Sequence, residues 1–376
     1  TGFMSWVHAE ALRRLGVPVI GVCGSTPDKS AAAAKRLHVD RAYDCYDDAL
    51  ADPHVDTVHV ATPNRFHFDM ARQALVAGKH VMCEKPLAMT SIESAELVRV
   101  AAEHSHLAAG VNYNIRYYPL CLEAREITRA GGLGDVVHIA GSYAQDWLSR
   151  ADDYNWRVLA EENGELRAVA DVGTHWLDLV HAITGLEVES VCADLMTVHP
   201  VRRRPRREVV TFARKDDQPS ETEPVSVTTD DYGAVLLRYR GGARGCLYVS
   251  QVSPGRKNCV RFELVGSQRT LAWNSERPNE LWNGYRERPN ELAIRDPALM
   301  SNAASAASDY PGGHNEGYAD TFKQCFRSFY DGIARGDCET LPNYPTFADG
   351  HREILLCDAI LQSCREDRWV SLEESS

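Results

Sequence analysis

Gly78-Lys79-His80-Val81-Met82-Cys83-Glu84-Lys85-Pro86 is the stretch whose reading decides the fold. Val81, Met82 and Cys83 form a short apolar run between a glycine and a proline. That pattern predicts a buried strand, entered from a helix C-terminus and stopped by Pro86. In open α/β sheets ligands bind outside the carboxyl ends of the strands, where Lys85 stands. Pro86 biases Lys85 toward extended geometry, which partly fixes its direction. On these residues alone, a solvated lysine following a glutamate at a strand end is an equal reading.

Working outward, residues 1–118 alternate helical patterns with short apolar runs. Helices are predicted near 7–15, 30–37, 47–51, 66–77 and 91–104, and strands at 19–23, 57–61 and 108–112. Alternation of this kind means βαβ units and a parallel sheet, hence an α/β domain over residues 1–118, the class to which dinucleotide-binding folds belong. Such a fold normally opens with a strand and a Gly-x-Gly-x-x-Gly turn that receives the pyrophosphate at a helix N-terminus. Here Thr1-Gly2-Phe3-Met4-Ser5-Trp6 leads directly into a helix, with Gly2 as one such glycine and Ser5 at the third position. The first strand is therefore expected to precede Thr1 in the natural protein.

After Tyr118 the pattern changes. Gly131-Gly132-Leu133-Gly134-Asp135 breaks the chain, and β-like runs follow at 136–143, 188–198, 233–239, 245–251, 260–265 and 270–273. Strands in series without interleaved helices predict a large, mostly antiparallel sheet in an α+β domain over residues 119–376, with one face covered by helices and the other free to pair. A short repeat, Glu276-Arg277-Pro278-Asn279-Glu280-Leu281 and Glu287-Arg288-Pro289-Asn290-Glu291-Leu292, suggests a hairpin turning at Asn283-Gly284. The Arg202–Arg207 run and the polar stretch after it, to Glu223, read as a mobile loop. Two helices, near 317–334 and 347–366, close the chain.

The formal charge of −12 over 376 residues argues against a general nucleic-acid surface. No apolar run reaches the roughly 18 residues of a membrane span, and the opening residues carry no signal-peptide pattern. The eleven cysteines include no Cys-x-x-Cys pair, and Cys83, Cys246 and Cys357 sit in apolar or strand-like runs, as small buried hydrophobes do. A cytoplasmic enzyme is expected.

The second cluster is Asp171-Val172-Gly173-Thr174-His175-Trp176-Leu177-Asp178. On a regular helix Asp171, His175 and Asp178 share a face, so a carboxylate would orient an imidazole suited to acid–base work. Asp171 as a helix cap and His175 as a satisfied core histidine compete with that reading. No third His or Cys lies at zinc-ligand spacing, so no metal is expected.

Glu84-Lys85-Pro86 followed by Asp171-x-x-x-His175-x-x-Asp178, with Ala61-Thr62-Pro63-Asn64-x-x-His67, Asn112-x-x-x-Arg116 and Gly312-Gly313-His314-Asn315-Glu316-Gly317-Tyr318, resembles the glucose–fructose oxidoreductase / inositol dehydrogenase / rhizopine-catabolism family. The resemblance runs over nearly the whole chain. It implies a Rossmann domain, then an open-faced β-sheet domain through which dimers or tetramers form. It implies an NAD(P)-dependent dehydrogenase or reductase acting on a secondary alcohol or ketone of a sugar, sugar derivative or cyclitol.

Residue by residue, Lys85 matches the lysine beside the nicotinamide, His175 the acid–base group and Asp171 its carboxylate partner. Gly2, Phe3, Met4, Ser25, Thr62, Pro63, Asn64, His67 and Glu84 fall on the cofactor side. Asn112, Arg116, Tyr143, Trp147, Trp156, Arg157, Arg167 and His314 join His175 on the substrate side, the middle ones resembling levoglucosan-dehydrogenase-like members. The chain departs from the pattern at Glu165-Leu166-Arg167-Ala168-Val169-Ala170, where Arg167 would narrow the pocket or attract an anion. Gly24-Ser25-Thr26 stands where an NAD enzyme carries an acidic residue, so Ser25 and Lys29 tilt the expectation from NAD toward NADP. An NAD-dependent glycoside hydrolase and a non-catalytic NAD(P)-binding sensor are the alternatives.

Overall fold

The computed structural model describes residues 1–206, 221–336, 338 and 342–372. The chain divides into two compact units. Among the described residues, the first holds 1–112 and 322–352, and the second holds 113–206, 221–321 and 353–372. The sequence reading divides the chain once, after Tyr118. The packing divides it at Asn112 and returns the segment from Phe322 to Arg352 to the first unit.

The first unit runs α1 (Phe3–Arg14), β1 (Gly21–Cys23), α2 (Pro27–Leu37), β2 (Arg41–Tyr43), α3 (Tyr46–Ala51), β3 (Thr57–Val60), α4 (His67–Val76), β4 (His80–Cys83), α5 (Ser91–Glu103) and β5 (Ala109–Val111). Its strands pair in parallel as two sheets, β1–β2 and β3–β4–β5. Strand β4 is the middle one, and Val81, Met82 and Cys83 are fully buried. The chain enters β4 through Gly78 at φ +75°, a left-handed turn that suits glycine, with the Gly78 and Lys79 amides closing on Leu75 and Ala74. Thr90 caps α5 by accepting from the Glu93 amide, while Glu93 accepts from the Met89 amide.

The second unit runs α6 (Pro119–Arg129), β6 (Val136–Ala144), α7 (Ala160–Asn163), α8 (Thr174–Thr184), β7 (Val188–Met196), β8 (Val201–Pro205), β9 (Thr222–Ser226), β10 (Tyr232–Tyr239), β11 (Arg244–Ser250), β12 (Cys259–Gly266), β13 (Thr270–Asn274), β14 (Glu280–Gly284), β15 (Glu291–Ile294) and α9 (Asn302–Ala306). Two long helices follow in the chain, α10 (Tyr318–Arg335), which from Phe322 on belongs to the first unit, and α11 (Phe347–Glu366), which from Glu353 on belongs to the second, and then the short strand β16 (Val370–Ser371). The large sheet has the order β15-β14-β13-β12-β6-β11-β10-β7-β16, antiparallel except between β11 and β6.

Its register draws one row across the open face: Leu236, Cys246, Ala140, Glu263, Ala272, Trp282 and Leu292. Leu236 and Leu292 are more than half exposed there. On the covered face α8 lies so close that a side chain at Gly141 would collide with the Trp176 indole and the Arg261 carbonyl, which themselves hydrogen bond at 2.9 Å.

Three local expectations are corrected. Cys246 is exposed on that open row, whereas Cys83 and Cys357 are buried. Asn283 and Gly284 continue strand β14, so the hairpin turns at residues 285–290. The arginine run opens as strand β8, paired with β9, with Arg202 fully buried; the rest of the expected loop, 207–220, lies outside the described residues. Among the described residues no helix is long and apolar enough to cross a membrane, and no cluster of His, Cys, Asp or Glu is placed to hold a metal.

Candidate active site

In the first unit the carboxyl end of β4 delivers Glu84 and Lys85. Glu84 is buried, and its Oε1 accepts from His8 Nε2 at 2.8 Å and Asn112 Nδ2 at 2.6 Å. Burial alone would raise its pKa. The hydrogen bond and charge of His8, then Lys85 and Asn112, outweigh burial and lower it to about 2. Glu84 is therefore a fixed negative charge next to Lys85.

Behind it the chain of contacts continues. His8 Nδ1 and His59 Nδ1 are 2.9 Å apart, so one ring donates and the other accepts, and His59 Nε2 bonds the Tyr330 hydroxyl at 3.0 Å. Burial, aided by His8, holds His59 well below the ordinary imidazole range. No motif spacing links His8, His59 and Tyr330, which is why the sequence does not announce them.

His67 is fully buried and corrects an expectation. Its ring lies 2.8 Å from the Pro86 carbonyl and 3.0 Å from that of Thr62, so it ties the loop after β3 to the loop carrying Lys85. It positions both loops from behind. Asn112, assigned to substrate, instead holds Glu84.

Two buried oxygens of this unit, Thr62 Oγ1 and Asn112 Oδ1, have no hydrogen-bond partner. Helix α1 begins after Gly2 with no side-chain cap and no acidic residue in its first turn, and the space above Gly2 is open. Those features fit a dinucleotide, whose phosphate suits an uncapped helix N-terminus and whose hydroxyls or amide would satisfy a buried oxygen. At the end of β1, Thr26 caps α2 and Ser25 is exposed, so no carboxylate stands there. Arg36 of α2 reaches back to the Thr1 carbonyl, beside Gly24, and puts a guanidinium near this turn that the sequence reading missed.

In the second unit Asp171 lies in a π-helical turn, Val169–Gly173, that runs directly into α8. The regular-helix face expected for Asp171, His175 and Asp178 is thus broken between the first two. Asp178 is fully buried and paired with Arg116, Nε to Oδ2 at 2.6 Å with a second contact from Nη2. Arg116, expected at the substrate, thus spends that fork on Asp178. His175 is buried between Tyr113 and Tyr143, with ring centroids 5.6 and 6.2 Å away.

Asp171 Oδ2 accepts from Gln251 Nε2 at 2.7 Å, and Arg157 Nε lies 3.9 Å from Oδ1. Arg157 stacks on Trp156 with its guanidinium 4.4 Å from the ring centroid. Tyr143 donates to Asn258 Oδ1, which also accepts from Gln145, and Gln145 in turn accepts from Trp147 Nε1, each at 2.8 Å. Half-buried tryptophans, amides, an arginine and a carboxylate therefore form a connected polar and aromatic wall.

Two further expected members have other partners. Arg167 is fully buried and does not line a pocket; it donates to Asp231, to Gln251 Oε1 at 2.6 Å and to Thr229 Oγ1 at 3.2 Å. His314 is exposed in the turn before α10, bonding locally to the Gly312 carbonyl.

Residues 1–113 match a family model described as an oxidoreductase family with an NAD-binding Rossmann fold, and residues 121–272 match the GFO/IDH/MocA C-terminal domain. The chain belongs to the GFO/IDH/MocA oxidoreductase family. It is an NAD(P)-binding oxidoreductase, of the dehydrogenase and reductase kind that acts on CH–OH groups. Levoglucosan dehydrogenase from Pseudarthrobacter phenanthrenivorans is 28% identical over 100% of this chain and 97% of its own length. A solved levoglucosan dehydrogenase in complex with NADH superposes with a TM-score of 0.87 at 26% identity, covering 99% of this chain and 96% of that one. An inositol dehydrogenase homologue from Azotobacter vinelandii, complexed with NAD+, gives 0.86 at 25% identity, covering 99% and 94%.

Proposed function

We propose that this GFO/IDH/MocA member transfers a hydride between nicotinamide and a secondary alcohol or ketone of a sugar, sugar derivative or cyclitol. The observation that carries the reading is Asp171, tethered through Gln251 in a wall that also holds Arg157, Trp156, Tyr143 and Trp147. A polyol presents apolar C–H faces and a rim of hydroxyls, which such a wall meets with aromatic surface and polar anchors. The relatives named above, by their names, act on or resemble enzymes of an anhydrosugar and an inositol.

When bound, the nicotinamide supplies the hydride acceptor or donor. His175 exchanges the hydroxyl proton, and Asp171 orients the reacting group and offsets the charge of a protonated imidazole. Lys85 lowers the cost of developing alkoxide charge, and the Glu84 carboxylate fixes the lysine loop by accepting from the Lys85 amide at 3.3 Å. Gly2, Phe3 and Met4 would lie under the pyrophosphate, and Thr62, Pro63 and Asn64 beside the nicotinamide ribose. The absence of a carboxylate at Ser25, with Lys29 and Arg36 nearby, favours acceptance of NADP alongside NAD. The open apolar row of the large sheet supports assembly as a homodimer or homotetramer, which sedimentation would read.

The test is a reduction screen of levoglucosan, myo-inositol and simple monosaccharides with NAD and NADP in parallel. Turnover of at least one such polyol is expected. Lys85→Met should abolish that turnover while cofactor still binds, and unchanged turnover would remove Lys85 from the chemistry.

A further inference from the structure

Gln251 follows strand β11 and is fully buried, with its amide on the Asp231 carbonyl at 3.0 Å and its carbonyl accepting from Leu148 at 3.1 Å. Its side chain lies between two charged groups. Arg167 Nη1 is 2.6 Å from Oε1, and Asp171 Oδ2 is 2.7 Å from Nε2. A guanidinium only donates and an ionised carboxylate only accepts, so the amide has one allowed orientation. It cannot flip without breaking both bonds.

Arg167 is itself immobile. Its Nη2 meets Asp231 and its Nε meets Thr229, while Asp231 also takes Arg202 and the amides of Val198 and His199 at 2.8 and 3.0 Å. The segment leading to Asp171 is pinned as well, since Asp230 accepts from the amides of Arg167 and Val169 at 2.5 and 2.9 Å. A permanent positive charge behind the Gln251 carbonyl polarises the amide and strengthens its N–H toward Asp171.

We infer that Gln251, backed by Arg167, is the positioning residue of the reaction: it fixes the orientation of the Asp171 carboxylate and keeps it an acceptor. This rests on the reading of Asp171 as part of the site. Asp171 also faces Arg157, 3.9 Å away, and the Tyr143 phenol, which lies within range of its charge. Neither group holds it at hydrogen-bond distance, whereas Gln251 Nε2 donates to it at 2.7 Å.

Gln251→Glu tests this with nearly unchanged shape: one oxygen keeps Arg167, and the other sets a carboxylate against Asp171, forcing the pair to share a proton. Protein labelled with 13C at aspartate carboxyls is titrated without substrate, with the Asp171 resonance assigned by its loss in Asp171→Asn. The Asp171 midpoint should rise by about one unit or more in Gln251→Glu and by less in Gln251→Leu. In turnover of levoglucosan or myo-inositol, Gln251→Leu should lower kcat about 10- to 100-fold with a smaller change in KM. Unmoved midpoints overturn the positioning role. Moved midpoints with unchanged kcat, or an Asp171→Asn enzyme that turns over normally, overturn instead the reading of Asp171 as part of the site.

Discussion

Each unit buries a carboxylate, and the two are held by opposite means. Glu84 is met by an imidazole and an amide, with a second imidazole and a phenol behind them. Asp231 is met by two guanidiniums and two backbone amides. The first arrangement is built from hydrogen-bonding groups, with no guanidinium among them. The second is built from permanent cations and transmits a fixed polarity through Gln251. Buried charge in this molecule is therefore held by hydrogen-bonding rings and an amide near Lys85, and by permanent cations behind Asp171.

The comparison breaks most visibly at Asp231. Asp231→Asn removes the carboxylate that Arg167 and Arg202 both meet in the buried core, and should cost about 3–5 kcal/mol in urea unfolding. A loss below about 1 kcal/mol would show that the pair is less desolvated than its full burial implies.

Acid sharpens the contrast next. The Glu84 pKa is lowered in the folded state, so its contribution is complete above the unfolded value near 4.5 and is lost as pH falls toward about 2, up to about 3 kcal/mol. Asp230 runs the other way: burial pushes its carboxyl up to about 6, so its ionisation costs stability as pH rises from about 4 to 6. Glu84→Gln should flatten the acid slope of unfolding free energy, and Asp230→Asn should remove the opposite slope.

Thr62→Val replaces a buried hydroxyl that has no partner. It should leave stability unchanged or raise it by about 1 kcal/mol, while weakening NAD(P) binding measured by calorimetry. Unaltered cofactor affinity would detach Thr62 from the cofactor. The smallest effect is expected for Tyr330→Phe, which removes the outermost bond of the first chain and should cost about 1 kcal/mol.

Much of the fold was legible because its punctuation is chemical. Gly78 and Pro86 bracket β4 as glycine and proline must, and the strands from Val188 to Ile294 follow one another without helices between, as an antiparallel sheet requires. The errors share a cause, namely partners distant in sequence. Arg167 reads as a pocket charge until Asp231 and Gln251 are folded against it. Arg202 reads as part of a basic loop until β8 turns it inward. Asn283-Gly284 has turn composition, yet the ladder with β13 and β15 carries the strand through it. His8, His59 and Gln251 are single residues of no pattern, and only packing gives them neighbours.

The π-helical turn at Val169–Gly173 carries one residue more per turn than the helix it joins. Deleting a single residue there would let the segment relax into a regular helix continuous with α8 and gain local backbone stability. It would also shift Asp171, which lies inside the turn, by one helix position relative to His175. Asp171 would move off Gln251 and out of step with His175. The turn is thus a phase shifter: it trades helical regularity for the angle between two side chains.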